Sequence, residues 1–393
     1  MSLPCQRQDF DIPSDVTYLN CAYMGPLSHR VLAAGVEGLS RKSQPWEIVP
    51  EDFFVDVEAA RELFAQLIGG DTEGVALLPS VSYGMACAAR NLPVPKGSEI
   101  VVLAEQFPSN IYIWQDLASR SGATLRTVDR PVDGDWTREI LATLSDRTAL
   151  AALPHCHWTD GTLVDVERVG AELRRRGATM VIDGCQSVGA LPFDVESLQP
   201  DFLVTGSYKW LLGPYSHGFL WAAPRWRDGE PLEQNWIARA NSHDFASLVS
   251  YTDRFAPGAR RFDVGEVSNF GLLPATLAAL QQCLGWGVDL IQRTLRAHTD
   301  RICEQAERLG LGVAPPGNRS GHLVGLRLGG RDPRTLAAAL AEARVFVSVR
   351  GDSVRVAPHV YNSAADIDRF LEVLAAALEA SPDSPPAESA GQA

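Results

Sequence analysis

Between residues 75 and 223 the sequence alternates short apolar runs with stretches of helical spacing, and this constrains the fold more than any other feature. VALLPS (75–80), EIVVLAE (99–105), ATLRTVD (123–129), RTALAALPH (147–155), ATMVIDG (178–184), DFLVTGSYK (201–209) and HGFLWAA (217–223) read as seven strands. Runs this apolar need cover on both faces, and the intervening helical stretches supply it. The pattern predicts an α/β fold: a large domain with a mostly parallel seven-stranded sheet between helices.

Ahead of these strands, residues 14–26 read as an extended segment ending in a turn at Gly25-Pro26, followed by helices near 26–39 and 50–68. After about residue 265 the pattern changes. Residues 273–309 read as one long helix. HLVGLRL (322–328), VFVSVRG (345–351) and VRVAP (354–358) read as strands, with helices at 333–343 and 364–380. This predicts a second, smaller α+β domain. The small, polar, proline-rich tail 381–393 reads as disordered.

Composition excludes several functions. The chain has 393 residues and a net charge of −13, which disfavours nucleic-acid binding. No run approaches the roughly 20 apolar residues of a membrane span, and Met1–Asp15 lacks signal-peptide features. Seven scattered cysteines suit neither a disulfide framework nor a metal site. The expectation is a cytoplasmic protein with no metal, membrane or nucleic-acid partner. There is no GxGxxG after a strand, no GxxxxGK[ST] and no HExxH.

Open α/β sheets bind ligands at the C-terminal ends of their strands, and four segments there carry chemistry. Ser80, Val81 and Ser82 open a helix whose N-terminus suits a phosphate, although a serine there also serves as an ordinary cap. Phe107, just past a strand end, is placed to stack on a flat ring or to fill the core. Asp183 ends a buried strand, with Gln186 three residues on, and needs a partner or a turn to cap. Lys209 sits among Tyr208, Trp210, Leu211 and Leu212, an odd setting for a surface amine. It is one of only three lysines, with Lys42 and Lys96, among 35 basic residues. Together these groups fit pyridoxal phosphate, which needs a lysine amine, an acid facing its pyridine nitrogen, an anion cradle and an apolar plate.

The order of FPSN, DGCQS, SYKWLLGP, RRFDVGEVSNF and VRVAPHVYN resembles the class V aminotransferase family of fold-type I pyridoxal phosphate enzymes, from about Tyr18 to Leu378. The resemblance makes Lys209 the lysine bonded to the cofactor, Asp183 the partner of the pyridine nitrogen and Gln186 the partner of the ring hydroxyl. Phe107 falls near the stacking position. Ser80, Val81, Ser82 and Ser207 fall among the phosphate contacts, and Arg355 matches the clamp on the substrate carboxylate, a task suited to its fork of donors. The family implies a homodimer with shared active sites. It also implies a division into an N-terminal segment packing with the small domain (1–25), a large cofactor-binding domain (26–265), a small domain (266–380) and the tail.

Three departures narrow the reading. The short span VFVSVRGDSVRVAP holds no cysteine before Arg355, which disfavours a persulfide-forming desulfurase. Trp158 stands where the family often has an asparagine against the ring hydroxyl, leaving His157 or Thr159 as substitutes. Glu266 occupies the usual partner-chain phosphate contact, pointing to Asn269 or Ser268 instead. The sequence therefore predicts an enzyme acting on a small L-amino acid with Lys209 taking the Cα proton. Side-chain elimination of the C–S lyase kind is the leading expectation. Transamination and epimerisation are alternatives, and a non-catalytic cofactor-binding protein is a remote one. Tyr23 and His217 are candidate substrate contacts, and Arg350 is a candidate second clamp that favours a dicarboxylate and transamination.

Overall fold

The computed structural model describes residues 2–380. In chain order the strands are β1 (Thr17–Tyr18), β2 (Val75–Leu78), β3 (Glu99–Leu103), β4 (Thr124–Val128), β5 (Thr148–Pro154), β6 (Thr179–Asp183), β7 (Phe202–Gly206), β8 (Gly218–Ala222), β9 (Val324–Arg327), β10 (Val345–Phe346), β11 (Ser348–Arg350) and β12 (Ser353–Val356). The helices are α1 (His29–Ser40), α2 (Val55–Ile68), α3 (Val81–Asn91), α4 (Tyr112–Ser121), α5 (Trp136–Thr143), α6 (Val166–Arg175), α7 (Val195–Leu198), α8 (Leu272–Trp286), α9 (Val288–Arg308), α10 (Pro333–Glu342) and α11 (Ala364–Ala380).

All seven predicted apolar runs form strands of one sheet, ordered β2-β8-β7-β6-β5-β3-β4. Only β8 runs against the rest, pairing antiparallel with both neighbours. Every residue of β3, β6, β7 and β8 is buried. Helices therefore cover both faces, and two hydrophobic cores flank the sheet.

A second sheet, β11-β12-β9, is antiparallel and covered by its own core. The run VFVSVRG does not form one strand. Val345 and Phe346 pair with β1, while Ser348–Arg350 turns to pair with β12. The N-terminal segment is laced to this region by Gln6 N–H donating to the Val360 carbonyl at 2.8 Å and by the Arg7–Asp366 ion pair at 3.0 Å. The long helix predicted for 273–309 is instead two helices, broken at Gly287 with φ +78°, where a side chain would be strained. The first of them, α8, packs against α1 and α2, and α9 contributes to both the large and the small core. The predicted disordered tail 381–393 lies outside the described residues.

Candidate active site

At the C-terminal ends of the central strands, Val81, Phe107, Trp158, Asp183, Gln186 and Lys209 line one cleft. The local sequence explains why Lys209 is there. Trp210, Leu211 and Leu212 are each about fully buried and anchor the turn after β7. Leu212 adopts φ +53° as the chain reverses toward Gly213-Pro214. Gly25 N–H donates to the Tyr208 carbonyl at 2.8 Å, and a Cβ on Gly25 would overlap the Lys209 carbonyl oxygen. The N-terminal segment thus clasps the lysine turn where only glycine fits.

The Lys209 amine lies 5.6 Å from the centre of the Phe107 ring and 5.5 Å from that of Tyr208. Burial pushes it below its ordinary pKa, against the opposing pull of Cys185 and Asp183, while Arg355 and Arg350 push it further down. Burial also pushes the Asp183 carboxyl up. Burial thus moves both groups toward neutral. Asp183 accepts from the Cys185 backbone N–H at 3.0 Å, which aims its carboxylate from the end of β6. Gln186 is held from two sides: its amide donates to the Ala22 carbonyl at 3.1 Å and accepts from the Trp210 indole at 2.8 Å. One amide hydrogen remains.

Opposite stands an aromatic wall. Phe107 and Trp158 meet edge to face, with ring centres 5.3 Å apart. The Trp158 indole donates to the Glu105 carbonyl at 2.7 Å. Glu105 has a left-handed φ of +55°, and Arg130 secures it through hydrogen bonds to Glu105 at 2.9 Å, Asp160 at 2.6 Å and Thr159 at 2.7 Å. At the other end of the cleft Ser80 caps α3, accepting from Tyr83 N–H at 3.2 Å. Its hydroxyl lies 3.0 Å from that of Ser82, and both serines are exposed.

Arg355 is 1% exposed. One end of its guanidinium donates to the Trp158 carbonyl at 2.8 Å, and its buried Nε has no partner. Burial and the Arg350 charge push it down to about 9. Arg350 lies 5.4 Å over the Trp158 ring.

Several predicted contacts are not in the cleft. His157 is fully buried beneath it, stacked on Trp136 and bonded to Thr159 at 2.8 Å, and burial pushes it down to about 4. Trp158, not His157, faces the opening. His217 is buried at the start of β8, against Phe219. The Ser207 hydroxyl is committed to the turn, donating toward the Pro214 carbonyl at 2.6 Å and the His217 carbonyl at 2.9 Å. Asn269 caps α8 and lines a separate groove with Phe53, Trp236 and Phe270. Tyr23 is exposed, with its hydroxyl near the Arg350 charge. Sequence reasoning missed Gln106 and Tyr208 as cleft residues. Tyr208's place beside Lys209 was the available signal. Gln106 carries none, since it reads as an ordinary loop residue.

No helix among the described residues is long and apolar enough to cross a membrane. Comparison with known proteins places this geometry. The family model for class-V aminotransferases matches residues 49–370. The uncharacterized aminotransferase YcbU of Bacillus subtilis is 31% identical over 329 residues, 81% of this chain and 83% of the relative. Isopenicillin N epimerase of Streptomyces clavuligerus is 30% identical over 336 residues, 80% of this chain and 83% of the relative. The structure of the cystine C–S lyase C-DES with its product cysteine persulfide superposes with a TM-score of 0.84 at 21% identity, covering 92% of this chain and 98% of that one. The lysine cleft at the strand ends, the motifs around it and these matches agree, and the chain belongs to the class V aminotransferase family of pyridoxal-phosphate-dependent enzymes.

Proposed function

We propose that the Lys209 cleft binds pyridoxal phosphate and acts on an L-amino acid, with Lys209 moving the Cα proton and a substituent leaving from Cβ. The observation that carries this reading is a buried lysine amine sharing a cleft with a buried carboxylate and an aromatic wall. The donor set fits the cofactor: Asp183 would hold the ring nitrogen, the remaining Gln186 amide hydrogen the ring hydroxyl, and the N-terminus of α3 with Ser80 and Ser82 the phosphate. When bound, the cofactor supplies an electron sink that acidifies the substrate's Cα–H.

The chain's own groups do the rest. Burial lowers the Lys209 amine from its ordinary value, which favours the neutral form that takes a proton. Arg355 orients the α-carboxylate, and Trp158 with Phe107 narrows the space beside it and excludes water. A thiolate nucleophile has no support in the cleft. Burial pushes Cys156 up to about 12 and Cys185 higher still. The turn ahead of Arg355, Gly351-Asp352, is a tight hairpin without cysteine. Transamination is the second reading, favoured by the position of Arg350.

The groove holding Asn269, together with exposed Leu39 and Trp46, supports a homodimer in which Asn269 approaches the partner's phosphate end. The test is the visible spectrum of holoenzyme mixed with single L-amino acids and no keto acid. Persistence of the cofactor band with release of a keto acid and the Cβ substituent supports elimination. Accumulation of the pyridoxamine form shows transamination.

A further inference from the structure

Strands β11 and β12 form a hairpin in which Ser348 pairs with Arg355 and Arg350 with Ser353. Side chains alternate along a strand, so Arg350 and Arg355 project from the same face as diagonal neighbours. Trp158 joins them: its carbonyl accepts from Arg355 at 2.8 Å while its indole lies 5.4 Å beneath the Arg350 guanidinium. The buried Nε of each arginine has no hydrogen-bond partner. Neither has a carboxylate within ion-pair distance among the described residues, although most other arginines of the protein do. Among the described residues, the one side-chain hydrogen bond of Arg350 goes to its neighbour, the Val349 carbonyl, at 2.6 Å.

Two like charges turned onto one face of a hairpin repel, and among the described residues no carboxylate lies close enough to offset that cost. A ligand with two anionic groups offsets it at both places. Resting on the cofactor reading above, we propose that the cleft selects an amino acid with a second anionic group on its side chain, the α-carboxylate going to Arg355 and the side-chain anion to Arg350. Trp158 acts as the spacer that sets the distance between the two anions.

The test uses unreactive probes. Succinate and butyrate share a four-carbon chain but differ by one carboxylate, and their affinities for the holoenzyme are measured by calorimetry. Succinate is expected to bind at least about 10-fold more tightly, a difference of ~1.4 kcal/mol. Arg350→Gln removes this preference and leaves butyrate affinity within about twofold, whereas Arg355→Gln weakens both acids. Equal affinities in the native protein, or a preference that survives Arg350→Gln, would overturn the proposal. The same measurement on Lys209→Ala separates this result from the cofactor reading. If the preference persists while the purified native protein takes up no pyridoxal phosphate, the anion site stands and the cofactor assignment falls.

Discussion

Among the described residues two arginines, Arg61 and Arg355, are about fully buried, and they are treated in opposite ways. Arg61 and Arg355 are each 1% exposed. Arg61, on α2, meets Asp263 at 2.8 Å and also donates to the Val75 carbonyl, while Asp263 accepts from Leu77 N–H at 2.8 Å. That pair stitches a helix and a late loop to the edge strand β2, with its charge neutralised inside the chain. Arg355, on β12, has a backbone carbonyl and a serine hydroxyl but no carboxylate. A charge withdrawn from water without a counter-charge is costly, so folding alone gives no reason to keep it. The first arginine belongs to the scaffold. The second suits the proposed role of receiving an anion from outside.

Substitution at the two sites separates these roles. Arg61→Met leaves Asp263 buried without its partner and is expected to cost about 3–5 kcal/mol in denaturant unfolding. Arg355→Met leaves the midpoint unchanged or higher, while weakening binding of a monocarboxylate at least about 30-fold in calorimetry. Loss of stability at Arg355 equal to that at Arg61 would erase the contrast.

Lys209 extends the comparison to a second buried cation. Its amine is depressed in the folded chain, so below the ordinary lysine value the unfolded state binds more protons. Its burial therefore penalises the apoprotein fully below the depressed value. The penalty fades as pH rises toward about 10.4. Lys209→Met is expected to raise the apoprotein's melting temperature at pH 7 and to flatten its rise with pH. A lower melting temperature would show that the amine is satisfied in the native fold.

Smaller effects sharpen the phosphate end. Ser80→Ala removes the α3 cap at about 1 kcal/mol of stability and is expected to weaken cofactor affinity about tenfold. Ser207→Ala, whose hydroxyl serves the turn, costs a similar ~1 kcal/mol but leaves that affinity within about twofold. Equilibrium dialysis of cofactor against both variants checks the distinction.

The same contrast explains what was legible in the sequence. The seven strands were, because six are largely apolar runs bounded by turns and the edge strand β4, TLRTV, mixes polar and apolar residues. Lys209 and Asp183 were, because an ionisable group at the end of such a run demands a reason. The choice between His157 and Trp158 was not. It depends on how the loop after β5 closes, which Asp160 settles by accepting from both the backbone and the hydroxyl of Thr162. The placement of Ser207 was hidden for the same reason, since its hydroxyl is claimed by carbonyls seven and ten residues on. The break at Gly287 was hidden because helical spacing continues in phase on both sides of it.

The most direct test of the account is to find where the cofactor attaches. Borohydride reduction of holoenzyme, followed by peptide mass mapping, fixes the cofactor on its lysine, and the chain offers only Lys42, Lys96 and Lys209. The reduced adduct is expected on the peptide containing Lys209 alone. An adduct on Lys42 or Lys96, or none on any of the three, would contradict it.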